Sequence, residues 1–341
     1  MRVAGENEKG MTLFLTGATG FIGGALLRRL LDPAEAVHLL VRPGSSPALD
    51  HPKVRVFRGG LDDLAVLKEG MRGCDAVFHL AAWVRTASDD RLLFDRTNVE
   101  GTRRIIEAAS SEKVRRVVYT SSVVAIGPSN GTVADEKTVR RTGFLTDYER
   151  TKALAEEEMT AAARDGFPAV IVSPSLVFGP TDSLKRYSFN KFLLDFIAGR
   201  LTVLPGNGKQ VVNAVYIDDV VEGHLLALEK GRIGERYILG GENISLDALS
   251  ERVIDLLKKN RRPLHLPLPL LKGLSWIEWG LSTMLRKEPR ITPKSIAMYR
   301  HDWAYSSDKA KADLGYRPIP LDEGIKKLVD WAAARMKMDQ N

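Results

Sequence analysis

One run of nine residues constrains the fold of this chain more than any other. The apolar residues Leu13, Phe14 and Leu15 lead into TGATGFIGG, Thr16 to Gly24. Gly17, Gly20 and Gly23 stand in a G-x-x-G-x-x-G spacing between a β-rich run and a helical one, ALLRRLL. Glycines are needed there because Cβ atoms would block a tight turn and keep a pyrophosphate from the backbone. The helix that follows aims its N–H groups and positive dipole end at the phosphates. The run therefore predicts a dinucleotide site built from Gly17, Thr19, Gly20, Phe21, Ile22 and Gly23.

The rest of the first 180 residues repeats the alternation. LFLTG, AVHLLV, VRVF, AVFHLAA, VRRVVYTSS and AVIVSPSLVFG read as strands. GFIGGALLRRLL and RTNVEGTRRIIEAAS read as helices between them. Repeated βα units predict an α/β fold, a Rossmann-type doubly wound parallel sheet. VVNAVYIDDVVEGHLLA, from Val211, reads as a strand and helix returning to that sheet. The dinucleotide domain is thus expected over 11–182 plus 211–240. A smaller, discontinuous substrate lobe is expected over 183–210 plus 241–336.

Composition narrows the classes of function. With 44% hydrophobic and 27% charged residues, the chain reads as soluble and globular. Its single cysteine, Cys74, excludes an internal disulfide and suits a reducing compartment. MRVAGENEKG lacks the apolar run of a signal peptide, so a cytoplasmic location is expected. The net charge of +7 is scattered, without the basic, aromatic-laced run of a nucleic-acid binder. It suits an anionic cofactor or substrate. The histidines at 38, 51, 79, 224, 265 and 301 show no H-x-x-x-H spacing, so no metal is expected. LHLPLPLLKGLSWIEWGLSTML, from Leu264, is too interrupted to span a membrane. A helix packed on the lobe, a wall for a greasy substrate and a peripheral membrane contact all stay open for it.

Enzymes of this fold that use NAD place an acid at the end of the second strand, for the ribose 2′-hydroxyl. Here that place holds Arg42, followed by Ser45 and Ser46. A guanidinium attracts a 2′-phosphate, which predicts NADP(H) ahead of NAD(H). Asp32 lies earlier and reads as a helix end.

Several landmarks together carry a resemblance. They are TGATGFIGG, GGLDD, HLAA, TNVEGT, YTSSVVAIG, YERTK and SPSLVFGP, in that order. The chain resembles the extended short-chain dehydrogenase/reductase family, within the epimerase/dehydratase superfamily. Its later segments are most similar to the dihydroflavonol-4-reductase-like branch. The resemblance implies that Asp62, with Leu61, meets the adenine. Leu80, Ala81 and Ala82 would line the path of the pyrophosphate and ribose. Asn98 would begin the helix below the active site, and Pro174, Leu176 and Val177 would flank the nicotinamide. Thr120, at the end of the strand that leads to the reacting groups, would also bind the cofactor. Many relatives form dimers through helices beside the active site, so a homodimer is an expectation too.

By the family's spacing to Gly127, Ser122 is the catalytic hydroxyl, with Ser121 as the alternative. Tyr148 and Lys152 lie four residues apart and share one helical face. A free tyrosine has a pKa of about 10, too high for efficient proton transfer near neutrality. A neighbouring ammonium would lower it, and Lys152 would also hold the nicotinamide ribose. The remaining charges of DYERTKALAEEE, Glu149 and the later glutamates among them, read as a solvated face.

Reaction type follows from what stands nearby. Val123 and Val124 follow Ser122 where dehydratases of the family carry Asp-Glu, so dehydration is disfavoured. SPSLVFGP resembles the reductase version of its segment. The main expectation is an NADP(H)-dependent reductase or dehydrogenase acting on a ketone or secondary alcohol of an apolar or polycyclic molecule. A nucleotide-sugar epimerase, with Arg232 and Arg290 on a diphosphate, is the first alternative. A 3β-hydroxysteroid-dehydrogenase-like enzyme and a non-catalytic NADP sensor are the others.

Overall fold

The computed structural model describes residues 10–46, 49–84, 90–181, 188–200, 203–258, 262–285 and 292–338. The predicted strands β1 (Thr12–Thr16), β2 (Ala36–Val41), β3 (Val54–Arg58), β4 (Ala76–His79), β5 (Arg116–Thr120) and β6 (Ala169–Pro174) all form. With β10 (Arg236–Leu239) they build a seven-stranded sheet in the order β10-β6-β5-β4-β1-β2-β3. Every pairing in it is parallel. The inner strands are apolar on both faces, as a sheet covered on both sides requires. The edge strand β3, VRVFR, is half exposed and carries two arginines, Arg55 and Arg58.

Helices α1 (Phe21–Leu30), α8 (Ile217–Lys230) and α12 (Asp308–Leu314) cover one face. Their buried Leu26, Leu27, Val220 and Leu314 pack on Leu13, Leu15 and Val118. Helices α2 (Leu64–Met71), α4 (Gly101–Ser111) and α6 (Asp147–Arg164) cover the other, through Leu67, Ile105, Ala155 and Met159. The single turn α3 (Arg91–Phe94) and a π-helical stretch, Asp95–Glu100, run directly into α4. The short α5 (Val123–Ile126) follows β5. The direction of strand order reverses between β1 and β4, and in open sheets ligands bind above that point.

The strand from Val211 departs from expectation. It is β9 (Val211–Tyr216), and it pairs with β7 (Leu176–Phe178) and β11 (Glu242–Ser245) in a separate three-stranded sheet. AVIVSPSLVFG is therefore two strands rather than one. The chain leaves β6 at Pro174, which cannot donate to a ladder. The sheet position beside β6 goes to β10, with Leu239 opposite Pro174. The helix after β9, α8, does return to pack on β5 and β6.

The lobe adds α7 (Ser188–Ile197), β8 (Val203–Pro205), α9 (Leu246–Leu257), β12 (Leu264–Leu266), α10 (Leu268–Met284), α11 (Pro293–Met298) and α13 (Leu321–Met338). Leu193, Phe196, Leu249, Val253, Ile325 and Leu328 form its core with β9. Asp218 and Asp219 do not cap α8, whose N-cap is Tyr216. Asp219 instead accepts from the Ile319 N–H at 3.1 Å, tying the C-terminal segment to the sheet domain.

Candidate active site

At the phosphate end, Gly17 adopts φ +78°, a conformation that side chains disfavour. A Cβ on Gly17 would stand 2.8 Å from the Ala81 nitrogen, so the glycine turn and the Leu80–Ala82 segment touch. A Cβ on Gly23 would fall 2.1 Å from the Gly17 carbonyl oxygen. Gly20 is the N-cap of α1, with no side chain capping it and no acid in the first turn. Exposed Thr19 sits beside this helix end, while Phe21 and Ile22 turn toward the core. A glycine cradle at an uncapped, acid-free helix start fits a dinucleotide's pyrophosphate.

At the carboxyl end of β2, where adenine binding is expected, Arg42 is exposed directly after the strand. Its carbonyl accepts from the Ser45 N–H at 3.0 Å, and Arg58 donates to the Ser45 carbonyl at 3.0 Å. Val41 is the β-partner of Arg58, so two guanidinium groups flank one turn. Arg58 escaped the sequence reading because strand register placed it there. Leu61 is buried under Gly101. Asp62 is exposed and already paired with Arg96 at 2.7 Å, which holds its carboxyl below the usual range.

A buried network lies beneath the middle of the site. The Ala81 N–H donates to Thr16 Oγ1 at 3.1 Å, and Thr16 Oγ1 lies 2.8 Å from His79 Nδ1. With the Thr16 proton directed at Nδ1, the imidazole carries its own on Nε2, 3.3 Å from Thr102 Oγ1. Thr102 in turn donates to the Asn98 carbonyl at 2.7 Å. Burial pushes the His79 pKa down to about 3, with help from Lys152, so the ring is neutral.

Asn98 does not begin a helix. It sits buried within the π-helical stretch, a local insertion in the helix of the kind often found at functional sites. Its amide accepts from the Trp83 N–H at 2.6 Å and donates to the Trp83 carbonyl at 3.0 Å. It also donates to Thr151 Oγ1 at 2.9 Å, locking the segment after β4 to α6.

The two serines after β5 point apart, as neighbours on extended backbone must. Ser121 is buried and its hydroxyl donates to the Glu156 carboxylate. Ser122 is the N-cap of α5, its hydroxyl accepting from the Val124 N–H at 3.4 Å, and it lies near enough to the Tyr148 phenol to favour its ionised form. Thr120 ends β5, with its hydroxyl 2.9 Å from His224 Nε2. Pro174 closes β6, and half-buried Leu176 and Val177 follow at the same end of the sheet.

Tyr148 and Lys152 share a face of α6, but the proposed tuning is not seen in this geometry. Burial pushes the Tyr148 pKa up to about 12, and the nearby Ser122 hydroxyl offsets only part of that. Lys152 Nζ donates instead to the Thr120 carbonyl at 2.7 Å and the Tyr119 hydroxyl at 2.9 Å. Burial lowers the Lys152 pKa to about 7, opposed by the charge of Glu156.

The glutamates of α6 are not uniformly solvated. Glu149 is fully buried and takes the Arg140 guanidinium at 3.2 Å and the Leu145 N–H at 3.2 Å. Burial raises its pKa above the usual range. Glu156 is also buried, held by Ser121 and by Arg236 from β10. Its spacing was the available signal, since it follows Lys152 by one turn, as Lys152 follows Tyr148. Of the two arginines considered for a diphosphate, Arg232 pairs with Asp313 at the surface. Arg290 lies outside the described residues.

Comparison with known proteins completes the picture. The sequence profile described as the NAD dependent epimerase/dehydratase family matches residues 13–240. A putative dihydroflavonol 4-reductase of Synechocystis sp. is 34% identical over 329 residues, covering 93% of each chain. Sterol demethylase protein B of Methylococcus capsulatus is 33% identical over 331 residues, covering 95% of this chain and 99% of that one. The crystal structure of gox2253 superposes with a TM-score of 0.80 at 35% identity, covering 96% of this chain and 99% of that one.

Proposed function

The chain belongs to the NAD dependent epimerase/dehydratase family and is an NAD(P)-dependent oxidoreductase of hydroxyl and ketone groups; from that premise we propose its cofactor preference, substrate class and reacting residues. We infer an NADP(H)-dependent reductase or dehydrogenase that moves hydride between the nicotinamide and a ketone or secondary alcohol. The observation that carries this reading is the convergence at the carboxyl end of β5 of Ser122, the N-cap of α5, with Tyr148 and Lys152 from α6, the Lys152 ammonium donating to the Thr120 carbonyl at 2.7 Å.

A bound nicotinamide cofactor supplies or accepts the hydride. The protein's own groups manage the oxygen and its proton. The Ser122 hydroxyl donates a hydrogen bond to the carbonyl oxygen and so stabilises the charge that develops there. Tyr148, protonated at neutral pH with a pKa of about 12, gives its proton to the forming alkoxide. Lys152 holds the cofactor's ribose and, once charged, supports the phenolate that remains. Buried His79 and Asn98 keep the floor rigid and hold no reacting atom.

Arg42, with Arg58 across the turn, supports NADP(H) over NAD(H), because two guanidinium groups suit a 2′-phosphate. An apolar, polycyclic substrate is supported by the likeness to sterol demethylase protein B at 33% identity. The absence of a carboxylate beside Ser122 supports reduction over dehydration. Val123 and Val124, which fill that place, are both buried in apolar packing. Oxidation of NADPH by a panel of polycyclic, aryl and aliphatic ketones tests the reading. Turnover favouring the polycyclic members is expected. Turnover confined to nucleotide sugars would overturn it.

A further inference from the structure

Helix α10 is built with its polarity reversed. Leu270, Leu274, Ile277, Leu281 and Met284 recur at helical spacing and form one stripe, each between 48% and 73% exposed. The stripe runs for about 21 Å at 1.5 Å per residue. Trp276 lies beside it, more than half exposed, with its ring edge-on to Trp279 at 5.7 Å. The inward face carries Leu271 and Ser275, whose hydroxyl is spent on the Lys272 carbonyl at 2.7 Å. A helix packed as an ordinary lobe element would turn the leucines in and the serine out.

Charge says what the stripe faces. The 33 residues from Lys258 to Arg290 hold eight Lys or Arg against two acids. Nearly all of the chain's excess of +7 is therefore attached to this helix and the sequence joined to its ends. Lys272, exposed on α10 itself, is one of the eight. A second copy docked by a twofold axis would bring the same cations face to face. An anionic surface would be complementary to them. No helix among the described residues is long and apolar enough to cross a membrane, so the helix would lie on the surface rather than span.

The helix is also connected to the reacting groups. It packs on α11. Lys294 of α11 pairs at 3.6 Å with Asp147, the residue before Tyr148. Met298, the last residue of α11, packs in the apolar cluster that includes Tyr148.

We propose that α10 is a peripheral docking helix, lying flat on an anionic lipid bilayer with Leu270, Leu274, Ile277, Leu281 and Met284 in the acyl boundary. The surface of the bilayer thereby becomes the source of the apolar substrate. That last clause rests on the reading of the protein as a reductase of an apolar molecule, whereas the docking does not.

The test is flotation of the full chain with phosphatidylcholine vesicles, with and without phosphatidylglycerol. The chain should float with the anionic vesicles and far less with the neutral ones, and high salt should weaken it. Ile277→Glu and Leu281→Glu should each lower the vesicle-bound fraction about tenfold or more, from the lost apolar burial. NADPH binding and turnover of a water-soluble ketone should be unchanged in both. Ile233→Glu, at an exposed apolar residue elsewhere, should float like the natural chain. Failure to float with either vesicle overturns the proposal, as does flotation indifferent to Ile277→Glu or equally sensitive to Ile233→Glu. A lipid-indifferent dimer that Ile277→Glu splits would give the face to a second copy instead. Flotation without turnover of any ketone would refute the reductase reading and leave the docking standing.

Discussion

The ammonium of Lys152 lies 2.9 Å from the Tyr119 hydroxyl and 4.5 Å from the centre of its ring, beneath the face of α6 that carries Tyr148. Both residues are buried. The lysine is thus anchored to β5 by a neutral partner, and the nearest compensating charge is Glu156, one turn further along. Burial wins, and Lys152 titrates at about 7 in the free protein.

This gives a signed pH dependence. The folded pKa lies below the unfolded lysine value of about 10.4. Between those values the unfolded chain binds more protons, so stability rises with pH from about 7 to about 10. Below about 7 the penalty for the buried charge is complete. Urea midpoints measured between about pH 7 and 8.5, below the range in which the buried Cys74 thiol, raised to about 12, works against stability, should climb for the natural chain and not for Lys152→Met. A Lys152→Met curve that climbs in parallel would assign the rise elsewhere.

Glu156→Gln removes the carboxylate charge that favours protonated Lys152. NADPH affinity should weaken as pH rises through the lysine's titration, and the variant should shift that midpoint to lower pH. A merely structural Glu156 would change the affinity uniformly and leave the midpoint in place. Fluorescence titration of NADPH at several pH values distinguishes the two.

Asn98→Ala unhooks Trp83 from α6. Two backbone groups of Trp83 lose the Asn98 amide, while the Thr151 hydroxyl keeps its bond to the Asp147 carbonyl at 2.8 Å. The cost should be about 1–3 kcal/mol in stability for the buried groups left unpaired. Turnover should fall further than NADPH affinity, since the groups freed lie between the cofactor segment and Tyr148. A variant as stable as the natural chain would contradict the assignment.

Gly23→Ala places a methyl group within 2.1 Å of a carbonyl oxygen that cannot move without opening the turn. Overpacking of this kind costs about 1–3 kcal/mol. The variant should lose the thermal protection that NADPH gives the natural chain. Gly24→Ala is the control, because its Cβ would meet the Ala18 oxygen at a tolerable 3.4 Å. Equal effects from the two would place the cause outside the turn.

Arg42→Glu should lower NADPH affinity about 10–100-fold, the worth of one charge-assisted contact. NADH affinity should hold or improve, since an acid there can accept from a ribose hydroxyl. Unchanged preference would shift the 2′-phosphate assignment to Arg58 or refute it.

The sheet was legible in the sequence because its strands are short apolar runs and its first turn admits only glycine. Ser122, Tyr148 and Lys152 were legible by spacing read together with the family resemblance, and they stand at the start of α5 and along the first turns of α6. What stayed hidden depends on register and topology. Arg58 reaches the Arg42 turn because β3 pairs with β2 at Val41. Glu156 looked like surface charge, until Arg236 arrived from a strand 80 residues later to neutralise it. The strand at Val211 could not be told from a member of the main sheet, because its burial pattern matches theirs. The expected lowering of the Tyr148 pKa is not the net outcome in the free protein, since burial of the phenol raises it and the Lys152 ammonium is spent on the Thr120 carbonyl and the Tyr119 hydroxyl.

Tyr148→Phe, assayed for both turnover and NADPH binding, tests the central claim most directly. The variant keeps the ring and its packing and loses only the phenolic proton. Ketone reduction should fall by at least about 10²–10⁴-fold, the usual worth of a positioned general acid. The dissociation constant for NADPH should stay within a few-fold of the natural protein's. Retained turnover with normal cofactor binding would contradict the account.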